Sequence, residues 1–267
     1  MTRNSPVLLV TGASSGIGEA TAKLFAAHGY RVVLAARRRE RLEALGEEIR
    51  KMGGEALPVV ADLTDLRQIE QLVDSSLSDY GRIDVLFNNA GMGRMNWLEN
   101  LDPVADIEAL FRVNLLGVVQ TTRAVLPHMI MRKSGHIINM ASMAGYLATP
   151  TYSIYAASKF AVRGFSEALR REVGVYGIRV SGIYPSGVET EFARHAGIKR
   201  KTGISTPARL RLSAEQVAIS VLDVVHRPRR AVLIPAPMRM VAWFGFFFPG
   251  FVDWMIEKRF TRPERGL

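Results

Sequence analysis

Short runs rich in Val, Ile and Leu alternate along the chain with longer stretches in which apolar residues recur every three or four positions. The short runs predict strands, and the helical period between them predicts their connections. On this pattern strands fall at 7–10, 31–35, 56–60, 85–87, 136–140, 179–183 and 232–234, with helices at 17–28, 40–51, 66–80, 104–132, 152–174 and 213–226. Such alternation is characteristic of parallel strands joined by crossover helices. Several strand runs are apolar without a break, so both faces of the sheet are expected to be covered. The predicted fold is α/β: a doubly wound, mostly parallel sheet of seven strands with helices on both faces, in one domain over 1–267. Two segments depart from the pattern. Residues 187–210 are polar and basic, carry Gly197 and Gly203, and are too long for a simple connection, which predicts a substrate lid. Residues 236–267 form an aromatic, basic extension after the last strand.

A chain of 267 residues can bury a substantial core without staples. The absence of Cys excludes thiol catalysis, Cys-ligated zinc and disulfides. Residues 1–6 are too short and polar for a signal peptide, so the expected location is the cytoplasm. His28, His128, His136, His195 and His226 show no metal-ligand spacing, and no metal is expected. The net charge of +10 is concentrated late: from Arg194 to Leu267 there are 14 Lys/Arg against 5 Asp/Glu, a balance of +9. Trp243, Phe244, Phe246, Phe247, Phe248, Phe251 and Trp254 lie in the same region. One reading is a solvated basic surface with an interface helix; the other is contact with a membrane surface or a long apolar substrate. The apolar stretch 241–252 is too short to span a bilayer, and Gly245 and Pro249-Gly250 interrupt it. No recognition motif accompanies the basic residues, so nucleic acid is not an expected partner. Arg123, Arg132, Arg170 and Arg171 raise an alternative, an acidic carrier protein delivering a bound ketoacyl chain.

The chemistry is concentrated in three places. Thr11-Gly-Ala-Ser-Ser-Gly-Ile-Gly18 follows the first strand and opens a helix. There Gly12 makes the turn, Gly16 allows close approach and Gly18 tight packing; Ser14, Ser15 and Ile17 lie between them, and free N–H groups attract a pyrophosphate. After the second strand comes Leu34-Ala-Ala-Arg-Arg-Arg39, with no acid before Glu40. A 2′-phosphate requires a cation and is repelled by an acid, so NADP(H) is expected over NAD(H), with Arg37 as main phosphate partner and Arg38 as helper. Tyr155 and Lys159 are four residues apart, on one helical face, where an ammonium can lower a phenol's pKa toward the working range. Ser142 lies thirteen positions earlier, at the end of the fifth strand.

These motifs together resemble the short-chain dehydrogenase/reductase family, in its compact single-domain branch, from about residue 6 to 234. Five match in order: the glycine turn, Asp62-Leu63, Asn88-Asn-Ala-Gly91, the Ser142 and Tyr155/Lys159 group, and Pro185 through Thr190. The resemblance implies a Rossmann-like fold and hydride transfer between a carbonyl and an alcohol. It implies that Asp62 and Leu63 hold the adenine, that Asn89, Ala90 and Gly91 flank its ribose, and that Pro185, Val188 and Thr190 surround the nicotinamide. It makes Asn114, Ser142, Tyr155 and Lys159 the catalytic group: Asn114 in a proton relay, Ser142 polarising the carbonyl, Tyr155 passing the proton, and Lys159 tuning Tyr155 and gripping the cofactor ribose. A homodimer or homotetramer is implied through the helices of Asn114 and Tyr155. One departure stands out: Ser186 replaces the family's usual Gly after Pro185, adding bulk and a hydroxyl. The substrate is a small-molecule carbonyl or alcohol, and the aromatic extension favours a steroid, a retinoid-like compound or a fatty aldehyde. The other readings are a carrier-protein ketoacyl reductase and a membrane-associated NADP-binding interaction protein.

Overall fold

In the computed structural model, described over residues 5–192, 201–202 and 206–267, seven parallel strands form one sheet in the order β3-β2-β1-β4-β5-β6-β7. The strands are β1 (Val7–Thr11), β2 (Arg31–Ala36), β3 (Glu55–Val60), β4 (Val85–Asn88), β5 (Gly135–Met140), β6 (Ile178–Pro185) and β7 (Ala231–Ile234). All seven fall within one or two residues of the predicted positions. Between them run α1 (Gly16–Ala27), α2 (Arg39–Lys51), α3 (Leu66–Tyr80), α4 (Ala109–Phe111), α5 (Val118–Arg132), α6 (Ser153–Val173) and α7 (Ala214–His226).

Alternate residues of each strand face opposite sides. Leu8 and Val10 pack with Phe25 of α1, Ile49 of α2 and Val221 of α7. Val7 and Leu9 pack with Leu72 of α3, Val125 of α5 and Leu169 of α6. This is why the strands read as unbroken apolar runs. Each such side chain, withdrawn from water, contributes about 1.5–3 kcal/mol.

The strand order reverses between β1 and β4, because β1 pairs with β2 on one side and β4 on the other. The carboxyl ends of these strands diverge there into a crevice. Crossover helices run back against the strands, so the last turns of α5 and α6 lie toward the amino-terminal ends of the strands. Arg132 is held there by Asp84 and the Ile83 carbonyl, and Arg170 and Arg171 occupy the last turn of α6.

The helix predicted at 104–132 is not uniform. It opens at Pro103, with Asp102 accepting from the Val104 and Ala105 amides. Wide π-turns at Pro103–Glu108 and Arg112–Gly117 flank α4 before α5 begins. The second carries Asn114, whose side chain bonds the Met92 backbone across the crevice; the wide turn sets it apart from a regular helical stack. After β7 the chain forms α8 (Met238–Phe247), α9 (Pro249–Ile256), a π-turn and α10 (Arg262–Arg265). Of the predicted lid at 187–210, residues 193–200 and 203–205 lie outside the described residues.

Candidate active site

The crevice deepens into a cleft of about 1180 Å3, running from the glycine turn to α8. Its nucleotide end is built by close approach. Gly12 and Gly16 have φ of +66° and +59°, in the left-handed region where a side chain is strained. A methyl on Gly12 would sit 2.8 Å from Ala90 Cα, and one on Gly18 would overlap the Gly12 carbonyl and the Asn89 amide. Asn89 donates to the Thr11 and Gly12 carbonyls at 3.0 and 3.3 Å. The Thr11 hydroxyl accepts from the Asn89 and Ala90 amides. Ser15 precedes α1 in extended conformation, and its side chain does not cap the helix. The amide donors of that first turn are therefore left for an anion. Thr190 lies directly over Gly16. These groups fit a dinucleotide pyrophosphate.

The two arginines after β2 behave differently. Arg38 folds across the turn, donating to Ser14 Oγ at 3.1 Å, Ser15 Oγ at 2.7 Å and Glu191 at 3.0 Å. Arg37 is 74% exposed, and among the described residues it pairs with Asp62 at 3.9 Å. Asp62 accepts from the amide and hydroxyl of Thr64, and Leu63 abuts Gly117. Glu191 was missed by the sequence analysis. It pairs with Arg38 and Arg41, and the Arg38 hydrogen bond holds its carboxyl below the usual range.

At the middle of the cleft α6 presents Tyr155 and Lys159 from consecutive turns, both buried. Lys159 Nζ donates to the Met140 carbonyl at 3.1 Å and lies 5.6 Å from the Tyr155 ring centroid. Ser142 starts a 3-10 turn, accepting from the Ala144 amide at 3.1 Å. That turn lies against α6 so closely that a methyl on Gly145 would sit 2.8 Å from the Lys159 carbonyl. This contact brings the Ser142 hydroxyl onto the Tyr155 phenol. Asn114 is fully buried, exchanging two hydrogen bonds with the Met92 backbone and donating to Ser158 at 3.3 Å. Gly91 lies between Asn114 and Lys159.

The electrostatics correct one expectation. The sequence predicts a phenol pulled down by its neighbouring ammonium, but burial pushes Tyr155 up to about 12, and only the Ser142 hydrogen bond opposes it. Lys159 is itself buried, and that draws its ammonium down to about 8. Removal from water is the largest cause of both shifts.

Pro185 ends β6, and Val188 bridges to Leu212. The unexpected Ser186 donates its hydroxyl to the Leu210 carbonyl at 2.6 Å, so it clips the 206–212 segment to the end of β6. The lining also includes the apolar or aromatic Leu147, Tyr152, Phe192, Met238 and Val241, beside Thr149, Thr151 and Arg211. Met238 and Val241 stand one turn apart on α8, a spacing legible in the sequence; the turning of that face into the cleft was not. Among the described residues no cluster of metal-binding side chains occurs, and no helix is long and apolar enough to cross a membrane.

A family model described as short chain dehydrogenase matches residues 6–201. An uncharacterised oxidoreductase of Staphylococcus saprophyticus is 36% identical over 229 residues, covering 84% of this chain and 92% of its own. An 11-beta-hydroxysteroid dehydrogenase of Arabidopsis thaliana is 32% identical over 258 residues, covering 93% of this chain and 73% of its own. Among solved structures, a variant of actinorhodin polyketide ketoreductase with NADPH superimposes with a TM-score of 0.81 at 31% identity, covering 89% of this chain and 98% of its own. A short chain dehydrogenase/reductase of Burkholderia phymatum in complex with NAD gives 0.79 at 30% identity, covering 90% and 93%.

Proposed function

Because the chain belongs to the short-chain dehydrogenase/reductase family, as an NAD(P)-dependent oxidoreductase acting on CH–OH groups, we propose that it interconverts an apolar ketone or aldehyde and its alcohol with NADP(H). The observation that carries the substrate class is the lining of the cleft, to which Met238 and Val241 of α8 add apolar surface. The bound dinucleotide supplies or accepts the hydride. Ser142 donates a hydrogen bond to the carbonyl oxygen and stabilises the negative charge that builds there. Tyr155 gives that oxygen its proton in reduction and takes it back in oxidation. A phenol held near 12 stays protonated at neutral pH, the form that donates. Lys159 secures the cofactor ribose, and its charge stabilises the phenolate left behind. Asn114 fixes the Met92 backbone in the loop after β4 beside them and carries the relay that returns a proton.

The preference for NADP(H) rests on Arg37 and Arg38, with Arg37 the freer to take a 2′-phosphate. In this reading 187–210 is the substrate lid, 236–267 is a dedicated substrate wall, and the protein self-associates through the helices of Asn114 and Tyr155. Carrier-bound ketoacyl chains are less favoured, because Arg132, Arg170 and Arg171, three of the four arginines that raise that reading, lie in the last turns of their helices, away from the cleft.

The test is turnover of a panel of steroid, retinoid and fatty carbonyls against sugar ketones, followed by loss of NADPH absorbance. Apolar compounds should give the higher kcat/KM, and the double variant Met238→Gln/Val241→Thr should raise their KM about ten-fold, the cost of wetting two apolar contacts, with NADPH binding unchanged. Faster turnover of sugars, or an unchanged KM, would overturn the substrate class.

A further inference from the structure

Helix α8 has two faces with opposite fates. Its inner face closes the cleft: Met238 and Val241 line it, and Gly245 packs so near Leu147 that a methyl there would sit at 2.9 Å. Its outer face, continued by α9, is bare. Met240 is 76% exposed and Phe246 78%, and Trp243, Phe247, Phe251 and Trp254 are all more than half exposed. The rings cluster with one another, as in the Trp243–Phe247 pair at 4.7 Å and the Phe251–Trp254 pair at 5.7 Å, while Ala242 and Val252 are the buried side chains of these two helices. Contiguous apolar surface of this kind marks a contact site.

The surrounding charges say what covers it. Arg239 opens the patch, and Lys258 and Arg259 close it; Lys258 Nζ lies 5.2 Å from the Trp254 ring centroid, an ammonium at the rim of an aromatic surface. The acids nearby are Asp253 and Glu257, and Glu257 is paired with Arg262. Aromatic rings flanked by surplus cations suit the boundary of an anionic bilayer, where rings enter the headgroup layer and ammonium groups meet lipid phosphates. A second copy of the chain would bring the same cations against each other. Neither helix can cross a bilayer, so both must lie in its plane.

We propose that the outer face of α8 and α9 docks on an anionic phospholipid surface, which places the apolar end of the cleft at the membrane. The inference deepens the proposed function, since an apolar substrate dissolved in the bilayer then meets the cleft through the helix that walls it.

The test is co-sedimentation with vesicles of neutral phosphatidylcholine and of the same lipid containing phosphatidylserine. Wild type should bind the anionic vesicles about ten-fold more tightly, and raising the salt should weaken binding. The variant Phe246→Ser/Phe247→Ser/Trp254→Ser should lose about ten-fold or more in vesicle affinity while still binding NADPH, which reports its fold. A second measurement needs no variant: lipids brominated at shallow acyl positions should quench the tryptophan fluorescence of bound wild type. Equal binding by wild type and variant, no binding by wild type, or a dimer that the variant converts to monomer without vesicle affinity would each overturn the proposal. None of these readouts requires turnover, so failure to reduce apolar carbonyls would sink the substrate class and leave the membrane contact standing.

Discussion

The two ends of the cleft are built on different principles. At the nucleotide end, backbone meets backbone: Gly12, Gly18 and Asn89 fill the same few ångströms, and Thr11 ties β1 to the chain after β4. At the other end the lining includes Met238 and Val241 of α8, and the chain beyond that helix is held by residues at distant points. Arg265 stacks on Trp97 at 3.7 Å and pairs with Glu99, while Glu264 accepts from the Lys201 and Thr202 amides. The first end leaves no room for a side chain at Gly12 or Gly18. The second can change its side chains without disturbing the sheet, which is how one scaffold serves many substrates.

Four measurements would break or sharpen this contrast. The largest effect belongs to the seam between the two ends: Tyr155→Phe should lower kcat by about 10²–10⁴-fold, the share of a positioned proton donor, and leave NADPH affinity intact. Turnover close to wild type would remove Tyr155 from the mechanism. Next is the rigid end, where Gly18→Ala should cost about 1–3 kcal/mol of stability in denaturant unfolding and weaken NADPH binding, because the added methyl meets the Gly12 backbone carbonyl and displaces the Asn89 side chain from its hydrogen bonds. An unchanged midpoint would show that the nucleotide end is looser than described. The double variant Arg37→Ala/Arg38→Ala should reduce the ratio of kcat/KM with NADPH to that with NADH by about 10–100-fold, the value of a charge-assisted hydrogen bond to phosphate. A preference for NADH in the wild type would reverse the assignment.

The smallest effect is a slope. Lys159 titrates near 8 in the folded protein against 10.5 for the ordinary group, so between these values the unfolded chain holds a proton that the folded one has released. Stability should then rise with pH from 8 toward 10, by up to about 1.4 kcal/mol per unit. Above 10 the trend reverses, because Tyr155 keeps its proton to about 12 when folded and loses it near 10 when unfolded. Chemical unfolding of wild type beside Lys159→Met over pH 8–10 reads the first limb; parallel curves would mean the ammonium is not desolvated.

How much of this is legible in the sequence follows the same division. The strands were readable because each is apolar on both faces, and the nucleotide turn because glycine spacing reports local backbone geometry. Tyr155 and Lys159 were readable as neighbours because four residues make one helical turn. Their titration was not, because burial depends on β5 and the 143–145 turn closing over them. The separate roles of Arg37 and Arg38 were hidden for a similar reason: the contacts that distinguish them come from Ser14, Ser15 and Glu191, far away in the chain. Helices α8 and α9 escaped prediction because Gly245 and Pro249-Gly250 break a run apolar on nearly every side, leaving no period to follow.

The tethers made by Glu264 and Arg265 also bear on how the protein is made. Both residues follow the last strand, so during synthesis β1 to β5 and the glycine turn emerge well before them. In order of synthesis the glycine turn thus precedes α8 by more than 200 residues, and a chain ending after β7 would lack Met238 and Val241 from the cleft lining.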